Sequence, residues 1–205
     1  MVQLTHSGEN IVKINEILKA AQERFGHFGL EKTTMNEIAA DINMSKGTLY
    51  YYFPDKEQLY KAVIEKEHTE FIQKINERIR ELRDPSEMLK EYVKINLQFF
   101  RTFLNLSRTR LNELTGLNPF MKGIMSEARS KEISILTDIF KKGKKNGIFK
   151  IESPEEIANL FMDIIRGLRK FIIGKKEIFY LEKSEYEQLT RKINLFTKIF
   201  IDGIK

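Results

Sequence analysis

The sequence predicts an all-α fold of about nine helices, in which a small three-helix unit at the N-terminus is followed by a larger helical domain. Three observations carry this. Only 4 prolines and 11 glycines interrupt 205 residues, so few positions force the backbone out of a helix. Apolar residues recur at steps of three and four along most of the chain, and no period-two alternation lasts more than a few residues. The apolar runs are separated by cap residues and breakers in the order that starts and stops helices.

Ile11, Ile14, Leu18, Ala21, Phe25 and Phe28 share one face of a first helix, which Gly29 can end in the left-handed conformation. Thr34 and Glu37 have capping-box spacing, and Ile38, Ala39 and Ile42 then form the short apolar face of a second helix about two turns long. Asn43 tolerates a positive φ, and Ser45 is a good N-cap for a third helix from Lys46 to Phe53. Pro54 closes that helix, and Asp55 caps a fourth running from Lys56 to about Leu82. The domain boundary is placed here, giving residues 1–55 and 56–205.

Downstream, Asp84-Pro85-Ser86 breaks the chain, with Ser86 as the expected cap of a fifth helix carrying Leu89, Tyr92, Val93, Leu97, Phe100 and Leu104 towards Leu114. Gly116-Leu117-Asn118-Pro119 breaks it again. A helix from Phe120 to about Asn146, with Ile124, Ile133, Leu136 and Phe140, ends at Gly147. Ser153-Pro154 opens the next in cap-then-proline order, and a last helix begins near Ser184.

Composition narrows the function classes. With no cysteine, disulfides and thiolate chemistry are excluded, and no run nears the ~18 apolar residues a membrane span needs, so a cytoplasmic protein without membrane contact is expected. An enzyme reading finds little to stand on. The histidines, His6, His27 and His68, are scattered, Glu-x-x-His occurs once, at Glu65 and His68, and not as the pair of motifs a di-metal bundle uses, and there is no glycine-rich phosphate loop. No metal or other cofactor is expected. The net charge of +6 suggests an acidic partner, yet residues 1–60 carry six Lys/Arg against eight Asp/Glu. The N-terminal unit is therefore a DNA reader by motif or not at all.

Two short helices joined by a tight turn and braced by a longer one make a helix-turn-helix unit. With Leu49 and Phe53 inward, the 100° step per residue turns Gly47 and Tyr51 outward and puts Lys46, Thr48, Tyr50 and Tyr52 on the flanks. Gly47 lets the backbone approach a groove, and Thr48 and Tyr51 can meet base edges. Tyr50, Tyr52 and Lys56 suit phosphates, as do the amides at the helix starts marked by Thr34 and Ser45. A triple tyrosine is in general more often a packing or interface feature, but here cap, turn, core spacing and the following lysine agree on DNA.

The segment from Thr33 to Lys56, TTMNEIAADINMSKGTLYYYFPDK, resembles the signature of the TetR family of transcriptional regulators. The close agreement covers residues about 11 to 60. Asn43 stands where the family usually has glycine, and arginine is nearly absent from the reading helices. The resemblance implies that Asn36 and Lys46 also reach double-stranded DNA, and that the protein is a repressor. It further implies a pocket in the larger domain that binds a small effector and shifts the spacing of two reading heads.

Twelve of the 15 phenylalanines lie downstream of the reading unit. Tyr92, Asn96, Phe99, Phe100, Phe103 and Ile165 are the candidate pocket residues, for a small hydrophobic effector. Arg108, Arg110, Arg166 and Arg169 could hold an anionic head group, against the plainer reading that each is solvated. Helices at 155–173 and 184–204 are apolar on more than one side, which predicts a homodimer through Phe161, Ile164, Leu168, Phe171, Ile172, Phe196, Ile199 and Phe200. Its operator would be roughly palindromic, with half-sites ~34–36 Å or a multiple apart. The alternative is a DNA-binding protein controlled by a protein partner or by no ligand.

Overall fold

A computed structural model describes residues 8–106, 119–173 and 182–205. The fold is all-α, with eight helices among these residues where about nine were expected. They are α1 Gly8–Lys32, α2 Met35–Asp41, α3 Lys46–Tyr52, α4 Lys56–Arg80, α5 Pro85–Leu106, α6 Pro119–Lys145, α7 Pro154–Ile173 and α8 Lys183–Ile204. No helix among the described residues is long and apolar enough to cross a membrane.

Caps and turns follow the local chemistry. Gly29 takes φ 81° and ψ 167°, a region open to glycine, and kinks α1 before a last helical turn ending at Lys32. Thr34 and Glu37 form the reciprocal box, with Glu37 N donating to Thr34 Oγ1 at 3.3 Å and Thr34 N to Glu37 Oε2 at 2.9 Å. Asn43 has φ 51° in the turn between α2 and α3. Ser45 Oγ accepts from Thr48 N, Asp55 Oδ1 from Gln58 N and Ser153 Oγ from Glu156 N. At the end of α6, Gly147 has φ 68°, and the amides of Ile148 and Phe149 both return to Gly143 O. A side chain at Gly143 would collide with the Phe149 ring.

Two expectations are corrected. Asp84, not Ser86, caps α5: Asp84 Oδ1 accepts from Ser86 N at 2.8 Å, and Pro85 occupies the first helical position, where its missing N–H costs nothing. Ser86 is buried instead. On α1 the buried face is Ile17, Leu18, Ala20, Ala21 and Phe25, while Ile11 and Phe28 are exposed. The kink at Gly29 follows directly on Phe28, and its ring lies 5.5 Å from the Arg24 guanidinium.

The chain divides into two compact units that part inside α4, between Glu67 and His68. A boundary after residue 55 marks where α4 begins. The first unit continues because Leu59, Tyr60, Val63 and Ile64 are buried with the core of α1, α2 and α3, and Tyr60 meets Phe25 edge-to-face at 5.1 Å. In the second unit, Leu89, Leu136, Phe140, Phe149, Phe161 and Ile193 lie in one apolar core, where Phe140, Phe161, Phe196 and Phe200 make a chain of aromatic contacts.

Candidate nucleic-acid interface and regulatory core

Leu49 is fully buried and sets the orientation of α3. Gly47 and Tyr51 consequently face outward, and Tyr51 is 78% exposed. Lys46 Nζ sits 5.6 Å over the Tyr50 ring, one helical turn away, which gathers a cation and a ring on the same flank. Thr48 is half-buried, its hydroxyl 2.8 Å from Ser45 Oγ, while Asn36 is exposed on α2. Lys46, Gly47, Tyr50 and Tyr51 are thus the exposed residues of α3, with Thr48 half-buried beside them, while Ser45 caps the start of α3 and Thr34 the start of α2.

Two candidate phosphate ligands already have partners. Tyr52 OH donates to Asn10 Oδ1 at 3.1 Å, and Lys56 Nζ donates to Glu31 O at 3.3 Å and Thr33 O at 3.0 Å. Lys56 therefore ties the end of α1 to the start of α4. Arg24, which the sequence reading did not single out, braces α1 to α2 through Asp41 and, at 3.3 Å, Glu37. Its hydrogen bond holds the Asp41 carboxyl below the usual range, while the Thr34 hydroxyl and amide do the same for Glu37. Arginine on α1 and acids on α2 carry no local spacing signal that would pair them.

The second unit buries a polar cluster. Glu132 Oε2 accepts from Tyr92 OH at 2.8 Å and from Asn96 Nδ2 at 2.7 Å. Asn96 Oδ1 accepts from Arg169 Nη2, and the Arg169 guanidinium lies 4.4 Å from the Phe100 ring centroid. His68 Nε2 approaches Glu132 Oε1 at 3.9 Å, beside Phe71 and Phe99, whose rings stack at 4.3 Å. Burial raises the Glu132 carboxyl and drives the Tyr92 phenol well up, and it lowers Arg169 and His68.

Of the predicted pocket residues, Tyr92, Asn96, Phe99 and Phe100 belong to this cluster, and Ile165 is buried one turn before Arg169. The Phe103 side chain, and Arg108 and Arg110, lie outside the described residues. Glu132 and His68 were missed. Their signal was a charged or titratable residue in step with apolar ones, Glu132 ahead of Leu136 and Ile139, and His68 ahead of Phe71 and Ile75. A separate groove of about 610 Å³ between α5 and α8 is lined by Lys90, Lys94, Tyr186, Thr190 and Lys198 among others. None of the predicted pocket residues lines it.

On α7 and α8, Leu160, Phe171, Leu195 and Ile199 are 51–62% exposed, while Ile164, Leu168, Ile172, Phe196 and Phe200 are half-buried. Phe161 is corrected. It is fully enclosed by Phe140, Phe196 and Phe200 and cannot meet another chain. Leu160 and Leu195 take the outward places that periodicity alone did not assign.

Comparison with known proteins agrees with this geometry. Residues 17–63 match the family described as bacterial regulatory proteins, tetR family. The crystal structure of a transcriptional regulator from Cytophaga hutchinsonii is similar over 94% of this chain and 98% of its own, at 36% identity and a TM-score of 0.87. The HTH-type transcriptional regulator RutR of Escherichia coli is 33% identical over 53% of this chain, which spans about half (51%) of that relative's length. A regulator from Saccharomonospora viridis, solved in complex with choline, shares the fold at 19% identity and a TM-score of 0.74, covering 92% of this chain and 96% of its own. With the capped α2, the Asn43 turn and the outward α3 face all in place, the chain belongs to the TetR family of helix-turn-helix transcriptional regulators.

Proposed function

We propose that the protein is a ligand-responsive repressor that binds a roughly palindromic operator as a homodimer, with α3 in the major groove. The observation that carries the reading is the outward face of α3, where Tyr51, Gly47, Lys46 and Tyr50 stand exposed opposite a fully buried Leu49. Hydroxyls, a lysine and bare backbone are suited to base edges and phosphates together. The expected contacts are Thr34, Asn36, Ser45, Lys46, Gly47, Thr48, Tyr50, Tyr51 and Tyr52. Lys56 would act by holding the helix ends.

Dimerisation through α7 and α8 is supported by the four exposed apolar side chains, Leu160, Phe171, Leu195 and Ile199. Water-facing apolar area on two neighbouring helices is what a self-complementary two-fold interface removes. Response to a small effector is supported by the buried polar cluster around Glu132, which sets charged groups inside a largely apolar core, and by the choline held by a protein of the same fold. The protein would act inside the cell, where the operator is.

Selection of bound duplexes from a random pool, at one fixed salt concentration, tests this. A palindrome should be enriched by the wild type and weakened or blurred by Tyr51→Ala and Thr48→Ala. A well-folded protein that enriches no sequence would sink the operator reading, and a monomer by sedimentation at micromolar concentration would sink the dimer.

A further inference from the structure

We propose that the cluster of His68, Asn96, Glu132 and Arg169 is the head-group receptor for an effector with an anionic carboxylate and an apolar body; this rests on the ligand-responsive reading above. Hydrogen-bond donors and acceptors in this cluster do not balance. Tyr92 gives its proton to Glu132, the Asn96 amide donates to Glu132 and, at 3.4 Å, to the Tyr92 oxygen, and Asn96 Oδ1 is taken by Arg169. Two buried nitrogens make no hydrogen bond, Arg169 Nε and His68 Nε2, the second standing 3.9 Å from Glu132 Oε1. Arginine can only donate, and so can the imidazole nitrogen whenever it carries the proton. What the cluster lacks is an acceptor.

The charge and shape around those nitrogens narrow the acceptor further. Arg169 as a residue is half-buried, but its Nε is sealed from solvent, and a guanidinium edge is matched best by the paired oxygens of a carboxylate. Glu132 opposes an anion less than its formal charge implies, because its Oε2 already takes two hydrogen bonds and its burial favours the neutral acid. Phe71, Phe99, Phe100 and Ile165 supply an aromatic and aliphatic surround for an apolar body, and they offer no polar group to a hydrophilic one.

Calorimetric titration of the full chain without DNA tests the assignment, using hexanoate and 3-phenylpropionate as probes beside hexanamide and hexylamine. A carboxylate probe should bind at one per chain, with the amide and amine at least tenfold weaker. Arg169→Gln should cost that carboxylate at least tenfold, and Arg169→Lys, which keeps the charge without the fork, should cost less than Arg169→Gln. Exposed Lys170→Gln on the same helix should change binding less than threefold, and retained helical signal and melting would show that each variant folds. Tighter binding of the amine would overturn the proposal and make Glu132 the recognition group of a cation site. Absence of binding by every probe, or binding that Arg169→Gln leaves unchanged, would overturn it in favour of water as the missing acceptor. Operator binding measured on the same protein separates the two levels: carboxylate binding that leaves operator affinity unmoved would defeat the ligand-responsive reading alone.

Discussion

In the reading unit, the side chains that set the helix ends reach partners three residues away: Thr34 and Glu37, Ser45 and Thr48, Asp55 and Gln58. In the second unit the polar contacts at the core span 40 residues from Tyr92 to Glu132, 36 from Asn96 to Glu132 and 73 from Asn96 to Arg169. The first arrangement is assembled from independent, solvent-facing pieces, each replaceable at small cost. The second is one coupled object, in which losing a member leaves others buried and unpaired. The reading unit and the core of the second unit are thus built from different kinds of hydrogen bond.

Four substitutions test this difference. Leu49→Ala should be the most damaging, since it empties the centre of the reading unit at ~2–5 kcal/mol; denaturant unfolding should show the loss together with loss of operator binding. Asn96→Leu should cost about 3 kcal/mol in the same measurement, because Glu132 and Arg169 both lose a partner inside the core. A cost below ~1 kcal/mol would mean that the cluster is not coupled. Thr34→Ala should cost only about 1 kcal/mol, the ordinary worth of an N-cap.

Glu132→Gln should act with the opposite sign at neutral pH. A carboxyl whose folded value is raised above the ordinary 4.5 binds its proton more tightly in the folded state, so wild-type stability declines as pH rises through that interval. The glutamine variant escapes the decline. It should be more stable than wild type at pH 7, and the advantage should vanish below pH 4.5. Thermal melts across pH 4–7 would measure it, and an advantage that does not change with pH would remove the raised carboxyl from the account.

The same contrast in range explains what could be read from the sequence. The caps, the positive-φ turn at Asn43 and the stop at Gly147 are decided within a few residues, and the structure has them where local chemistry puts them. Ser86 was mistaken for a cap because Asp84 is equally suited and only Pro85 at the first helical position decides between them. Phe28 and Phe161 show the limit of periodicity. It identifies apolar residues in step, but whether one faces its own core, solvent or another chain depends on elements far away in sequence. For Glu132 and His68 the step with apolar residues marks burial, but their partners, which stand on other helices, are beyond local reading.

Lys56 carries a consequence in salt rather than in structure. Each cation that neutralises a phosphate adds ~0.9 to the slope of log affinity against log salt. Lys56 is committed to the carbonyls of Glu31 and Thr33, and Arg24 to Asp41 and Glu37. With two of the six cations in residues 1–60 so engaged, much of the grip on phosphate passes to hydroxyls and backbone amides, which release no counterions. Operator affinity should therefore fall only shallowly as salt rises, and discrimination between sequences should survive ionic strengths that strip lysine-rich readers from DNA.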